Sequence, residues 1–109
     1  MKPLVYLAAP YSSNPTRNVH EATLLGLDLW RAGAVTPYVP HWSMLGDLIM
    51  PMSYDEWLAF DRDVILHCDA VLWVPGTSPG AELEVAFAEE NRIPVFSTVE
   101  ALMVWVAGR

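Results

Sequence analysis

Asp69-Ala70-Val71-Leu72-Trp73-Val74-Pro75-Gly76-Thr77-Ser78-Pro79-Gly80-Ala81-Glu82-Leu83-Glu84-Val85-Ala86-Phe87-Ala88 is the stretch whose reading decides the fold. Asp69 to Val74 reads as a strand, apolar from Ala70 on and closed by Pro75-Gly76, the pattern of a buried strand ending in a turn. Ser78 is a favourable helix N-cap and Pro79 suits the first helical position, so a helix runs from Ser78 to about Asn91.

The same alternation extends outward on both sides. Upstream, Pro3 to Ala9 is a short apolar run that stops at Pro10. Residues from about Asn14 to Ala32 carry Val19, Ala22, Leu25 and Leu29 at near-helical spacing, and Gly33 is a natural C-cap. Ala34 to Val39 reads as a second strand, and Pro37 marks it as short or at a sheet edge. Pro40 to Ser53 has no clean period and reads as a long apolar loop or a broken helix, whereas Tyr54 to His67 is helical. Downstream, Ile93-Pro94-Val95-Phe96 is a last short strand and Val99 to Val106 a closing helix. Alternating strands and helices imply a parallel sheet covered on both faces. The expectation is one α/β domain over residues 1–109, a doubly wound parallel sheet of four to five strands in a flavodoxin-like three-layer sandwich. Ligands of such sheets sit beyond the carboxyl ends of the strands, where the strand order reverses. Pro10–Thr16, Pro40–Ser53 and Pro75–Gly80 occupy that position.

Composition excludes several function classes. A net charge of −7 argues against polymeric nucleic acid, which requires a basic surface. A single nucleotide remains compatible, because backbone N–H groups at a helix start can hold one phosphate. Cys68 is the sole cysteine, which rules out an intramolecular disulfide and suits a reducing, cytoplasmic setting. Neither a signal-peptide pattern nor a membrane-length apolar run is visible, so no membrane association is expected. A hydrophobic fraction of 53% points to apolar surface hidden in a homo-oligomer.

Two carboxylates stand out. Ala81 and Ala88 flank Glu84 at helical spacing, giving a small-residue face around one carboxyl group. A half-buried carboxylate beside empty space suits a covalent mechanism. The spacing equally fits an exposed glutamate on an amphipathic helix, as expected for Glu82, Glu89 and Glu90. Asp61 and Asp63 lie within an otherwise apolar helix. A second carboxylate there would allow one group to ionise while the other stays protonated, the division that glycosidic cleavage needs. The other reading is an exposed Asp-Arg-Asp face. His41 and Trp42 follow the second strand, where Trp42 could stack on a base and His41 could move a proton, or both could simply pack. His67-Cys68-Asp69 resembles a metal trio only on paper, since adjacent residues entering a strand point in opposite directions. No metal and no cofactor are expected.

In order, Tyr6-Leu7-Ala8-Ala9-Pro10, Asp61, Cys68-Asp69-Ala70-Val71 and Ser78-x-Gly80-x-x-x-Glu84-x-x-x-Ala88 resemble the nucleoside 2-deoxyribosyltransferase superfamily. The pattern is similar in particular to its small deoxynucleoside 5'-monophosphate N-hydrolases. The resemblance covers roughly residues 4 to 96, and its most specific part is the Ser-x-Gly-x-x-x-Glu helix start. It implies that Glu84 attacks the anomeric carbon, that Asp61 assists, and that Tyr6 orients the nucleophile. Ser78 would contact the 5' end of the substrate, with Gly80 beside it. The family's hydrolases follow the first strand with a Gly-Ser-x-Arg-Gly-Gly run. This chain instead has Ala9-Pro10-Tyr11-Ser12-Ser13-Asn14, with its nearest arginine at Arg17. Ser12 and Ser13 are the donors available there. The implied activity is cleavage or transfer of the N-glycosidic bond of a 2'-deoxynucleoside or its 5'-monophosphate, a small-molecule partner. The alternative is a nucleotide-binding or interaction module that keeps the fold without turnover. A phosphoribohydrolase fits less well, since only Pro75-Gly76-Thr77 echoes the Pro-Gly-Gly-x-Gly-Thr loop of those enzymes.

Overall fold

The apolar run after Pro3 forms β1 (Leu4–Ala8) at the centre of the sheet. The computed structural model describes residues 1–74 and 78–109, so the expected Pro75-Gly76 turn lies outside the described residues. Elements then follow as α1 (Pro15–Ala32), β2 (Thr36–Tyr38), a 3-10 turn (Pro40–Ser43), α2 (Met44–Ile49) and α3 (Tyr54–Leu66). The chain continues through β3 (Ala70–Trp73), α4 (Pro79–Glu90), β4 (Val95–Phe96) and α5 (Val99–Ala107). Among the described residues the sheet has four strands, all parallel, in the order β2-β1-β3-β4. The chain moves outward from β1 to β2 and then crosses to β3, so the order reverses between β1 and β3.

Strand alternation creates the three layers. Val5 and Leu7 of β1, with Ala70 and Leu72 of β3, face α1 and α5 and pack with Ala22, Leu29 and Leu102. Tyr6 and Ala8, with Val71, face the other way onto Ile65 of α3 and Ala81, Val85 and Ala88 of α4. Both central strands are therefore apolar on each side, which is why they read as continuous apolar runs. β2 takes the sheet edge that Pro37 requires.

Local chemistry ends each helix. Asn14 caps α1 by accepting from the Arg17 N–H, and Gly33 closes it at φ +86°, a left-handed conformation that glycine adopts without a Cβ penalty. Ser53 and Glu56 form a capping box at α3. Gly26 is required by close approach, because a Cβ there would stand 2.6 Å from Val39 Cγ2. The aperiodic Pro40–Ser53 segment is a broken helix, with the 3-10 turn leading into the short α2. No helix among the described residues is long and apolar enough to cross a membrane.

Candidate active site

Tyr6 lies inside β1 and its side chain points to the face covered by α3 and α4. α4 starts at Ser78, whose Oγ accepts from the Ala81 N–H at 3.2 Å. From that start, positions 81, 84, 85 and 88 fall on the helix face turned to the sheet. Glu84 is thus carried inward and is only 8% exposed, with buried Ala81 and Ala88 on either side. Its Oε2 accepts a buried hydrogen bond from the Tyr6 hydroxyl. Glu82, Glu89 and Glu90 are on the solvent side of the same helix. The exposed reading therefore holds for those three and fails for Glu84.

Asp61 reaches the same place from α3. It stands four residues before the buried Ile65, and its Oδ1 is buried without a hydrogen-bond partner. Asp63 is exposed on another face. Burial raises Asp61 to about 6, although the neighbouring Glu84 and Tyr6 side chains pull it down. Burial also raises Glu84, to about 8; the Tyr6 hydrogen bond opposes this rise and the Asp61 charge adds to it. Tyr6 is held as the neutral phenol by burial and then by the Glu84 charge. The three groups therefore share protons as one unit, and near neutral pH the two carboxyls hold about one proton between them.

Asp61 and Glu84 line a cavity of about 240 Å³. That is near the lower end of small-molecule sites, ~300 Å³ and upward, and too small to enclose a polymer. The cavity draws on the carboxyl ends of β1, β2 and β3, the position expected for a doubly wound sheet. Ser12, His41, Ser78 and Gly80 all line it. A Cβ at Gly80 would stand 3.5 Å from the Tyr54 hydroxyl, an ordinary contact that would take up cavity space.

Two expected residues lie elsewhere. Ser13 is exposed, and its Oγ accepts from Asn18 Nδ2 at 3.2 Å, so it serves the start of α1. Trp42 is 48% exposed and donates its Nε1–H to Thr23 Oγ1 at 2.9 Å. It borders a separate groove with Leu45, Ile49 and Phe60, away from Asp61 and Glu84. The cause is local: successive side chains of a 3-10 turn project about 120° apart, so His41 turns inward and Trp42 outward.

His41 is buried and lines the cavity. A carbonyl oxygen only accepts, so the 2.9 Å contact to Pro10 O places the ring proton on Nε2. Burial lowers the imidazole pKa despite that bond, and Nδ1 is buried without a partner. His41 is thus a neutral ring rather than a proton carrier.

Tyr54, Trp57 and Asp47 were not anticipated in the cavity lining. Tyr54, Trp57, Leu58 and Asp61 share one face of α3, a stripe visible in the helical period once Asp61 is chosen as its centre. Asp47 lies in the aperiodic segment and had no such signal. Its Oδ1 accepts from the Met52 N–H at 3.0 Å and from Trp57 Nε1 at 2.7 Å, tying α2 to α3. Those two bonds, the Met52 N–H foremost, hold the Asp47 carboxyl below the usual range.

His67, Cys68 and Asp69 diverge as expected. His67 Nδ1 approaches Asp63 O, the Cys68 thiol donates to Val64 O, and Asp69 Oδ2 accepts from the Leu4 N–H. Among the described residues no group of three or more His, Cys, Asp or Glu side chains is placed to hold a metal ion. No family model, no curated protein and no solved structure matches the chain. Its resemblance to the deoxyribosyltransferases therefore rests on its own residues alone.

Proposed function

We propose that the protein cleaves or transfers the N-glycosidic bond of a 2'-deoxynucleoside or its 5'-monophosphate, with Glu84 as nucleophile. One observation carries the reading: Glu84 and Asp61 line a small cavity at the switch point of the sheet, and the buried Tyr6 hydroxyl bonds Glu84 from behind. Loss of a nucleobase from deoxyribose passes through an oxocarbenium-like state, and a carboxylate beside C1' stabilises that charge before bonding to it. The Tyr6 hydroxyl occupies Oε2 of Glu84, which leaves Oε1 to approach the carbon. With the shared proton on Asp61, ionised Glu84 attacks C1' and the C1'–N bond breaks. Its electron pair leaves with the base nitrogen, which takes the Asp61 proton. Water or an acceptor base then attacks C1', the ester oxygen of Glu84 departs as carboxylate, and Asp61 recovers a proton from the attacking group.

A second reading is a nucleotide-binding module without turnover. Burial favours the protonated form of Glu84 at rest, and a protonated carboxyl does not attack. The two readings separate on base release. Deoxynucleosides and their 5'-monophosphates are incubated with wild type and with Glu84→Ala, with and without a free acceptor base, and the products are resolved by chromatography. Release that the substitution abolishes is the expected result, and acceptor dependence tells transfer from hydrolysis. Saturable binding without release, unchanged by Glu84→Ala, would establish the module instead. A glycosyl adduct trapped on any other residue would overturn the assignment of Glu84.

Two properties accompany this reading. Self-association is supported by exposed apolar side chains on α2, among them Leu45 at 65% and Ile49 at 76%. A cytoplasmic setting is supported by the unpaired, buried Cys68 thiol.

A further inference from the structure

A phosphate monoester carries nearly two negative charges at neutral pH. Proteins hold it with Arg or Lys side chains, or with several free backbone N–H groups at a helix start or turn. The chain has six Lys and Arg residues, and none lines the cavity. Lys2 lies over the Trp30 ring, and Arg17 pairs with Glu21 on the exposed side of α1. Arg62 packs over Phe87, while Arg109 covers Trp105 and reaches toward Asp69. Arg31 and Arg92 sit at the C-terminal ends of α1 and α4, whereas the cavity takes the N-terminal end of α4. His41 adds no charge, since its one ring proton is engaged by Pro10 O. Pro75-Gly76-Thr77 lies outside the described residues and has no cationic side chain.

The helix start offers little more. Pro79 has no N–H, the Ala81 N–H is held by Ser78 Oγ, and the Glu82 N–H is held by Ser78 O. Among residues 79–82 the Gly80 N–H alone is left for a ligand. Facing any ligand are three carboxyl groups, those of Asp47, Asp61 and Glu84. A second phosphate charge would thus enter a small, partly enclosed space of its own sign.

We infer that the cavity takes the unphosphorylated nucleoside and rejects its 5'-monophosphate by charge. The inference rests on the glycosidic reading for the identity of the ligand, and its test separates the two.

Each deoxynucleoside is compared with its own 5'-monophosphate in two measurements. One is kcat/KM for base release by wild type, and the other is binding to Glu84→Ala by titration calorimetry. The nucleoside is expected to lead by about tenfold or more at low salt, with the gap narrowing as salt screens the carboxylates. Ser12→Arg, which places a cation on the exposed lip of the cavity, should shrink or invert that ratio. Equal or better turnover or binding of the monophosphate would overturn the inference and leave the glycosidic reading standing. Preferential nucleoside binding with no base release would support the inference and remove the glycosidic reading. Failure of the nucleoside both to bind and to turn over would overturn it.

Discussion

Replacing Glu84 by Gln should stabilise the protein, by an amount that grows with pH. Burial first, and the Asp61 charge in addition, raise Glu84 from an ordinary 4.5 to about 8 against the pull of the Tyr6 hydroxyl. The folded protein therefore binds this proton more tightly than the unfolded chain. The associated stability is fully present below about 4.5 and is lost as pH rises through about 8. Each tenfold change in proton affinity is worth about 1.4 kcal/mol, so a rise from 4.5 to about 8 sets a ceiling of about 5 kcal/mol. Water reaching the open cavity and local relaxation bring the expected effect to about 2 kcal/mol. Gln keeps the shape, still accepts from the Tyr6 hydroxyl, and carries no charge. Urea unfolding of both proteins across a pH series from about 5 to about 9 measures the gap. All other groups are common to the two proteins, so the difference isolates Glu84 and its coupling to Asp61. The curves should lie close together at the acid end and separate by about 2 kcal/mol at the alkaline end, the variant being the more stable. A gap independent of pH, or one that widens toward acid, would refute the assignment of a raised, buried carboxyl. If Glu84 acts as the proposed nucleophile, the trade is that of a group needed for chemistry weakening the fold.

Tyr6→Phe removes the donor to Glu84 Oε2 and leaves a buried oxygen unpaired; it should cost about 1–3 kcal/mol in unfolding experiments, and the alkaline shift of the Glu84 titration should show in the pH profile of base release. Gly26→Ala drives a Cβ to 2.6 Å from Val39 Cγ2, where α1 meets the end of β2, and should lower stability by about 1–3 kcal/mol without changing ligand binding, read by thermal melting and titration. The Cys68 thiol is pushed up to about 12 by burial and then by Asp69, so its alkylation in the native protein should run at least about tenfold slower than in urea when followed by mass spectrometry.

Much of the architecture was legible along the chain because it follows from short-range rules. Apolar runs cut off by proline or glycine marked β1 and β3, and a proline in the second strand placed it at the edge. Ser78-Pro79 located the start of α4, and Asn14 and Gly33 bounded α1. The second strand was read too long, as Ala34 to Val39 against the observed Thr36–Tyr38. Ala34 and Val35 are an approach to the sheet, and pairing begins at Thr36, whose N–H bonds to Pro3 O.

The site divided differently. By itself the sequence determined that the chain alternates strand and helix; it also offered the loops after β1, β2 and β3 as the ligand position and Tyr6, Asp61 and Glu84 as candidate groups. Tertiary structure decided that these three meet, because Glu84 has two possible environments on an amphipathic helix until α4 is laid against β1 and β3. It also exchanged the aromatic at the cavity, turning Trp42 outward and bringing in Trp57 with Asp47, since a one-residue step in a 3-10 turn reverses which side chain faces inward. Periodicity specifies which residues share a face; only long-range packing specifies what that face meets, and the proton affinity of a carboxyl depends on what it meets.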